Sequence, residues 1–247
     1  MARLARFAYL TPVQRRDSTL PAGVNTITHL SCADTDTQFD LARLASGAVV
    51  VVFRGSSSLQ DWLTDLNAEK VQVKPGLRVH QGFNTALQSV LVQIITRLRQ
   101  LQQREEIPHL YLTGHSLGGA LAQLCALWLS FDGFPVTAVY TFGSPRVGNG
   151  GFARLYQSRL GERTWRVVNC EDPVPRLLML TFRHAGNEVF LNQARELRLN
   201  PSIDHKLISD LIGVIKGWFL KKKPALLPDH FVENYVRLAE FNREVFA

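Results

Sequence analysis

The apolar positions of this chain alternate between two periods. Ala48-Val49-Val50-Val51-Val52-Phe53 is continuous and β-branched and stops at Arg54-Gly55, and His109-Leu110-Tyr111-Leu112-Thr113 stops at Gly114. Val136 to Phe142 ends at Gly143, and Trp165-Arg166-Val167-Val168 ends at Asn169. Continuous runs of this kind suit strands covered on both faces. Between them the period changes. Phe83 to Leu101 carries Leu87, Leu91, Ile94, Ile95 and Leu98 at helical spacing, and Leu117 to Leu129 is apolar nearly all round, which predicts a buried helix. Gln38 to Phe53, broken by Ser46-Gly47, reads as an antiparallel hairpin that feeds the sheet. Strands alternating with helices predict an α/β fold with a mostly parallel central sheet flanked by helices. No repeat and no Pro/Gly-rich linker divides the chain, so a single domain over 1–247 is expected.

Composition narrows the classes. At 247 residues, 46% apolar and 20% charged, the chain is neither disordered nor fibrous. No run approaches the ~20 apolar residues of a membrane-spanning helix. Cys32, Cys125 and Cys170 are odd in number, far apart and without a C-x-x-C, so buried free thiols are expected rather than a disulfide framework or a zinc site. Met1 to Leu10 interleaves Arg3 and Arg6 with short apolar pieces and shows no secretory h-region; with the cysteine usage, this predicts a cytoplasmic or peripheral-membrane location, with secretion by another route as the alternative. A net charge of +7, with Lys221-Lys222-Lys223, favours anionic surfaces. The aromatics do not interleave with the basic residues as single-strand binders require, so nucleic acid is not expected as a partner.

Gly114-His115-Ser116-Leu117-Gly118 fits G-x-S-x-G. Alone, that match is common. Here it follows an apolar strand and opens an apolar helix, the strand-turn-helix setting a nucleophile elbow requires. Ser116 would then project at a helix N-terminus, where N–H groups and the helix dipole favour an anion.

A serine hydroxyl needs a base, and the base needs an orienting acid. In this chemistry on an α/β fold, the acid and then the histidine follow the serine in the chain. Glu171 and Asp172 lie just past the strand Trp165–Val168; Asp172 is preferred because Pro173 and Pro175 stiffen the loop directly beyond it. Three histidines follow, His184, His205 and His230. His205 and His230 are each preceded by Asp and each opens a helical pattern, so both remain candidates on the residues alone, with His230 favoured by its place at a loop-to-helix junction near the C-terminus. His29, His80 and His109 precede the serine and read as structural. His115 adjoins Ser116, but neighbours on an elbow point apart. The oxyanion needs two donors. The elbow supplies the Leu117 N–H, and the loop Arg54-Gly55-Ser56 after another strand offers Ser56.

Taken together these residues resemble the class 3 lipases, the family of the Rhizomucor-type fungal triacylglycerol lipases and their bacterial relatives. The matching stretches are Val51 to Ser58 with Asp61 to Leu66, Val79 to Phe83, Leu112 to Ala120, Tyr140 to Gly148, Asp172 to Pro175 and His184 to Gly186. The resemblance implies an α/β-hydrolase fold, a triad of Ser116, Asp172 and His230, and an oxyanion hole of Ser56 and Leu117. It favours His230 over His205. It also implies a short lid over 57–66, where Leu59, Trp62, Leu63 and Leu66 share one face at i, i+3, i+4 and i+7.

The expected activity is hydrolysis of carboxylic esters of acylglycerols through an acyl-enzyme on Ser116, with no cofactor and no metal. A phospholipase A1 or a feruloyl-type esterase would share these features, and a non-catalytic lipid-binding module is the reading from another class. The lipid–water interface, including an anionic membrane surface, is the expected partner. An amphipathic helix over 206–220, followed by Lys221–Lys223, fits a surface helix: Leu207, Ile208, Leu211, Ile212, Val214, Ile215, Trp218 and Phe219 fall within an arc of about 160°. The same face would also serve a helix packed on the core.

Overall fold

A computed structural model describes residues 1–56, 69–104, 107–170, 172–176, 182–192, 196–201 and 230–241. The predicted lid residues Leu59, Trp62, Leu63 and Leu66, the acid Glu171, His205 and the amphipathic segment 206–223 lie outside the described residues.

The chain opens with two short helices, α1 (Ala2–Phe7) and α2 (Pro12–Asp17). The strands β1 (Val24–Cys32), β2 (Thr37–Leu44) and β3 (Val49–Phe53) follow, and then a small hairpin of β4 (Lys70–Lys74) and β5 (Leu77–His80). Next come α3 (Gln81–Arg104), β6 (Leu110–His115), α4 (Leu117–Phe131), β7 (Val136–Phe142), α5 (Gly150–Leu160) and β8 (Thr164–Asn169). The last elements are β9 (Asn187–Leu191), β10 (Leu197–Leu199) and α6 (Val232–Phe241). Among the described residues, eight strands form one sheet in the order β1-β2-β3-β6-β7-β8-β9-β10. Its centre, from β3 to β9, is parallel; β1 and β2 at one edge and β10 at the other run antiparallel. The predicted hairpin is the β2–β3 pair, and β1, which the apolar pattern did not reveal, adds to its outer side.

Every residue of β3 is buried, as its unbroken apolar run requires. Val49, Val51 and Phe53 face one layer with Leu87, Ile94, Leu98, Leu121 and Leu124 from α3 and α4. Val50 and Val52 face the other, against Leu4 and Ala8 from the N-terminal segment. On that second face α6 brings Tyr235 and Val236 onto Phe142, Val167, Val189 and Ala2. The sheet is thus sandwiched, and α1 and α6 share one side of it. Arg3 and Glu240 tie these two helices together at 2.7 Å.

The first turn of α4 lies hard against the end of β3. A Cβ on Gly118 would sit 2.3 Å from the Phe53 carbonyl oxygen and 3.0 Å from the Arg54 carbonyl carbon, both backbone atoms that cannot swing aside. Within a helix, Gly→Ala ordinarily stabilises by about 1 kcal/mol. Here the sign should reverse. Gly118→Ala is expected to destabilise by about 3 kcal/mol or more, the upper end of overpacking costs, because the strand and helix must separate. Urea unfolding at equilibrium checks this, and a neutral or stabilising result would mean that the approach is looser than described.

Candidate active site

In a parallel sheet the loops beyond the carboxyl ends of neighbouring strands converge on one edge. Four of these loops carry the candidate residues. Ser56 lies three residues past β3, Ser116 follows β6, Gly143 follows β7 and Asp172 follows β8. Adjacent strands are about 4.8 Å apart, so the loops after β6 and β8 are separated by about 10 Å, and whatever bridges them must cross the end of β7.

At the elbow, Ser116 has φ 57° and ψ −127°. A non-glycine residue there costs on the order of 1–3 kcal/mol and persists only where its surroundings hold it. They do: the Ser116 N–H donates to the Phe142 carbonyl at 2.9 Å, while the Ser116 carbonyl accepts from Gly119 N–H at 2.9 Å. The β6–α4 junction is thereby locked to β7 on one side and to the first helical turn on the other. Leu117 is the first residue of α4, and the amides of a first turn have no acceptor within their helix. Ser56 is half-buried at the neighbouring strand end.

Asp172 is held by the turn that the sequence placed around Pro173 and Pro175. Its Oδ1 accepts from the Val174 N–H at 2.8 Å, and its own N–H donates to the Asn169 carbonyl at 3.1 Å. Its Oδ2 accepts from His230 Nδ1 at 2.7 Å and from the Tyr235 hydroxyl. Asp172 and His230 are wholly buried, so this pair works in a low dielectric. Gly143 makes room for the crossing. It has φ 57°, and a Cβ there would lie 2.6 Å from Asp172 Oδ2 and 3.0 Å from both His230 Cε1 and the Tyr235 hydroxyl. His230 therefore lies across the end of β7, beside the residue whose neighbour, Phe142, holds the Ser116 amide. Buried side-chain polar atoms nearly always find a partner. Ser116 Oγ and His230 Nε2 do not; each is buried without a hydrogen bond.

The remaining histidines among the described residues have other duties. His184 Nε2 donates to the Pro175 carbonyl at 2.7 Å and braces the Asp172 loop from outside. His29 binds Asp40 at 2.8 Å, His80 stacks on Phe83 at 4.2 Å, and His109 lies near Tyr111. His115 does point away from Ser116, toward Tyr9 and the main chain of His230. Sequence reasoning did not anticipate Tyr235, Tyr9 or this use of His115, since none lies in a spacing that marks it. Of the cysteines, Cys125 and Cys170 are buried and none of the three is in a disulfide, as expected, while Cys32 is only half-buried.

Residues 50–182 match the family described as Lipase (class 3). Among characterised relatives, a secreted mono- and diacylglycerol lipase 1 of Fusarium solani is 37% identical over 148 residues, covering 58% of this chain and 44% of its own. The lipase of Rhizomucor miehei is 39% identical over 153 residues, covering 58% and 41%. A phospholipase A1-II 1 of Oryza sativa subsp. indica is 31% identical over 195 residues, covering 67% and 49%. The chain thus spans about half the length of the curated relatives it matches. A solved triacylglycerol lipase, whose catalytic centre is described as a serine protease triad, superposes with a TM-score of 0.71 at 32% identity, covering 81% of this chain and 82% of its own. The native Rhizomucor miehei lipase–propeptide complex gives 0.69 at 31% identity, covering 80% and 68%.

One expectation is corrected by these relatives. The Fusarium solani protein and a similar lipase of Penicillium cyclopium are both named as secreted, which contradicts the cytoplasmic or peripheral-membrane location inferred above. That inference took Met1–Leu10 and the cysteine count as signs of destination. Both report on packing instead: Ala2, Leu4, Ala5 and Phe7 of α1 are built into the flank of the sheet, and Cys125 is an ordinary core side chain. With the family match spanning more than half of its residues, on a sheet and an elbow of the matching kind, the chain belongs to the class 3 lipases.

Proposed function

We propose that this chain is a serine carboxylic ester hydrolase that cleaves acylglycerols, with Ser116, His230 and Asp172 as its triad. The observation that supports this most is the buried His230–Asp172 pair beside a strained elbow, with Ser116 Oγ and His230 Nε2 left without partners. In this reading the ester supplies what those two atoms lack. Ser116 Oγ attacks the ester carbonyl carbon as His230 Nε2 takes its proton. Asp172 holds the other ring nitrogen protonated and stabilises the imidazolium that forms. The N–H groups of Leu117 and Ser56 receive the developing oxyanion, a contribution worth about 3–4 kcal/mol per donor in such sites. His230 then returns the proton to the leaving alcohol, and water cleaves the acyl-enzyme by the same steps.

The substrate would be met at a lipid–water interface, and the basic balance of the chain, +7 overall, favours an anionic one. Phospholipid is the second reading, favoured by the 31% identity to a protein named as a phospholipase A1. A substrate panel separates them. Hydrolysis of p-nitrophenyl butyrate and palmitate reports on ester cleavage and chain preference, and fatty-acid release from emulsified mono-, di- and triacylglycerol is compared with release from phosphatidylcholine vesicles. Faster release from the acylglycerols is expected. Release from phosphatidylcholine alone would replace the proposal with the phospholipase reading, and no release from any ester would leave a lipid-binding module.

A further inference from the structure

We propose that His115 and Tyr9 are positioning residues for the reaction, a two-residue relay that holds the main chain of His230 where its ring can serve Ser116. The inference rests on the hydrolase reading above. Tyr9 Oη lies 2.9 Å from His115 Nδ1, and His115 Nε2 lies 2.6 Å from the His230 carbonyl oxygen. A carbonyl can only accept, so Nε2 carries the hydrogen. In the neutral ring Nδ1 then has a lone pair, and the Tyr9 hydroxyl must donate to it. The hydrogens along this path have a single consistent direction: Tyr9 O–H to His115, and His115 N–H to His230.

Two electrostatic observations agree with that polarity. Burial, and after it the nearby His230 imidazole, push His115 well below the ordinary histidine range, which keeps the ring neutral. Burial pushes the Tyr9 phenol upward, against the opposing pull of Arg54, so it keeps the proton it donates. The Tyr9 hydroxyl also abuts the loop after β3. A Cβ on Gly55 would lie 2.0 Å from it and 2.6 Å from the His115 carbonyl oxygen. One hydroxyl therefore touches the loop that carries Ser56, the elbow residue before Ser116 and, through the imidazole, the segment bearing His230.

His230 needs such an anchor. It sits in a 3₁₀ turn just before α6, which starts at Val232, and so lies outside the hydrogen-bond ladder of that helix. Asp172 fixes only its side chain. A ring held at one nitrogen can still pivot about that bond, and a shift of about 1 Å in a reacting group can cost on the order of 100-fold in rate. A residue that merely filled space at position 115 would not need two ring nitrogens in hydrogen-bonded contact.

Four variants test the relay, with kcat and KM measured on p-nitrophenyl butyrate and normalised to the fraction of sites labelled by a fluorophosphonate. Gln can place an N–H where His115 Nε2 stands, whereas the shorter Asn cannot reach the His230 carbonyl. His115→Asn is expected to lower kcat by about 10–100-fold with KM little changed, and His115→Gln to restore most of it. Tyr9→Phe, which removes only the hydroxyl, should lower kcat by a smaller factor, and the Tyr9→Phe/His115→Asn pair should be no worse than His115→Asn alone, because both act through one path. If kcat per labelled site is unchanged in Tyr9→Phe and His115→Asn while only thermal stability falls, the two residues are structural and the proposal is overturned. It is also overturned if Gln performs as poorly as Asn. Should His115→Asn fail to fold, the nearly isosteric Tyr9→Phe decides by the same readout. Failure of the hydrolase reading is distinct from all of these: wild-type protein would then neither label nor hydrolyse.

Discussion

Ser116→Ala is expected to lower kcat by about 10⁴–10⁶-fold, because the proposed nucleophile has no substitute and the members of such a triad act as a unit. What remains should be the slow attack of water in a site that still binds the ester and still offers the Leu117 and Ser56 amides. The same substitution should not cost stability. Ser116 Oγ is buried without a partner, a state that costs on the order of 1–3 kcal/mol, and removing it leaves the backbone contacts to Phe142 and Gly119 in place. Alanine inherits the positive φ, so that strain stays. Loss of activity with stability equal or slightly higher is therefore the expected pair of results, measured by kcat on p-nitrophenyl butyrate and by thermal unfolding. Retention of more than a tenth of wild-type activity, with contaminating hydrolases excluded, would remove Ser116 from the role.

The central sheet was legible because burial on both faces leaves no polar alternation: β3, β6, β7 and β8 all appear as apolar runs ending in a turn residue. β1 was not, since most of Val24–Cys32 is exposed or half-buried and polar residues break the run. The N-terminal helices escaped for a related reason. α1 spans less than two turns, too short for its apolar face to repeat, yet in three dimensions it packs beside α6 and shares its face of the sheet. In the site, the G-x-S-x-G setting named Ser116, the proline-stiffened loop favoured Asp172, and chain order left His205 beside the favoured His230; the structure brings Asp172 and His230 into contact. The residues that brace them were illegible. Tyr235 reaches Asp172 across 63 positions, Tyr9 reaches His115 across 106 and His115 reaches His230 across 115. Such pairs leave no period or motif. They exist only because α1 and α6 are folded onto the same face of the sheet, a fact that local pattern cannot contain.

Asp172→Asn is the most specific test of how the pair works, and about a 10⁴-fold loss of kcat with near-normal folding is expected. Both carboxylate oxygens of Asp172 accept: Oδ1 from the Val174 N–H, and Oδ2 from His230 Nδ1 and the Tyr235 hydroxyl. An amide can offer only one oxygen. The Val174 N–H is fixed by the backbone and can only donate, whereas the Tyr235 hydroxyl can rotate to accept. The amide oxygen should thus stay with Val174 and its NH₂ group should turn toward His230 and Tyr235. His230 must then present Nδ1 as an acceptor, which moves the ring hydrogen to Nε2 and points it at Ser116. A ring in that tautomer cannot take the serine proton. Val174, His230 and Tyr235 each keep a hydrogen bond to the side chain, so stability should change little while KM stays close to wild type. Glu171→Gln is the control and should retain most activity. If Glu171→Gln is instead the damaging change, or Asp172→Asn keeps more than a tenth of the activity, then Asp172 braces the loop without orienting the base.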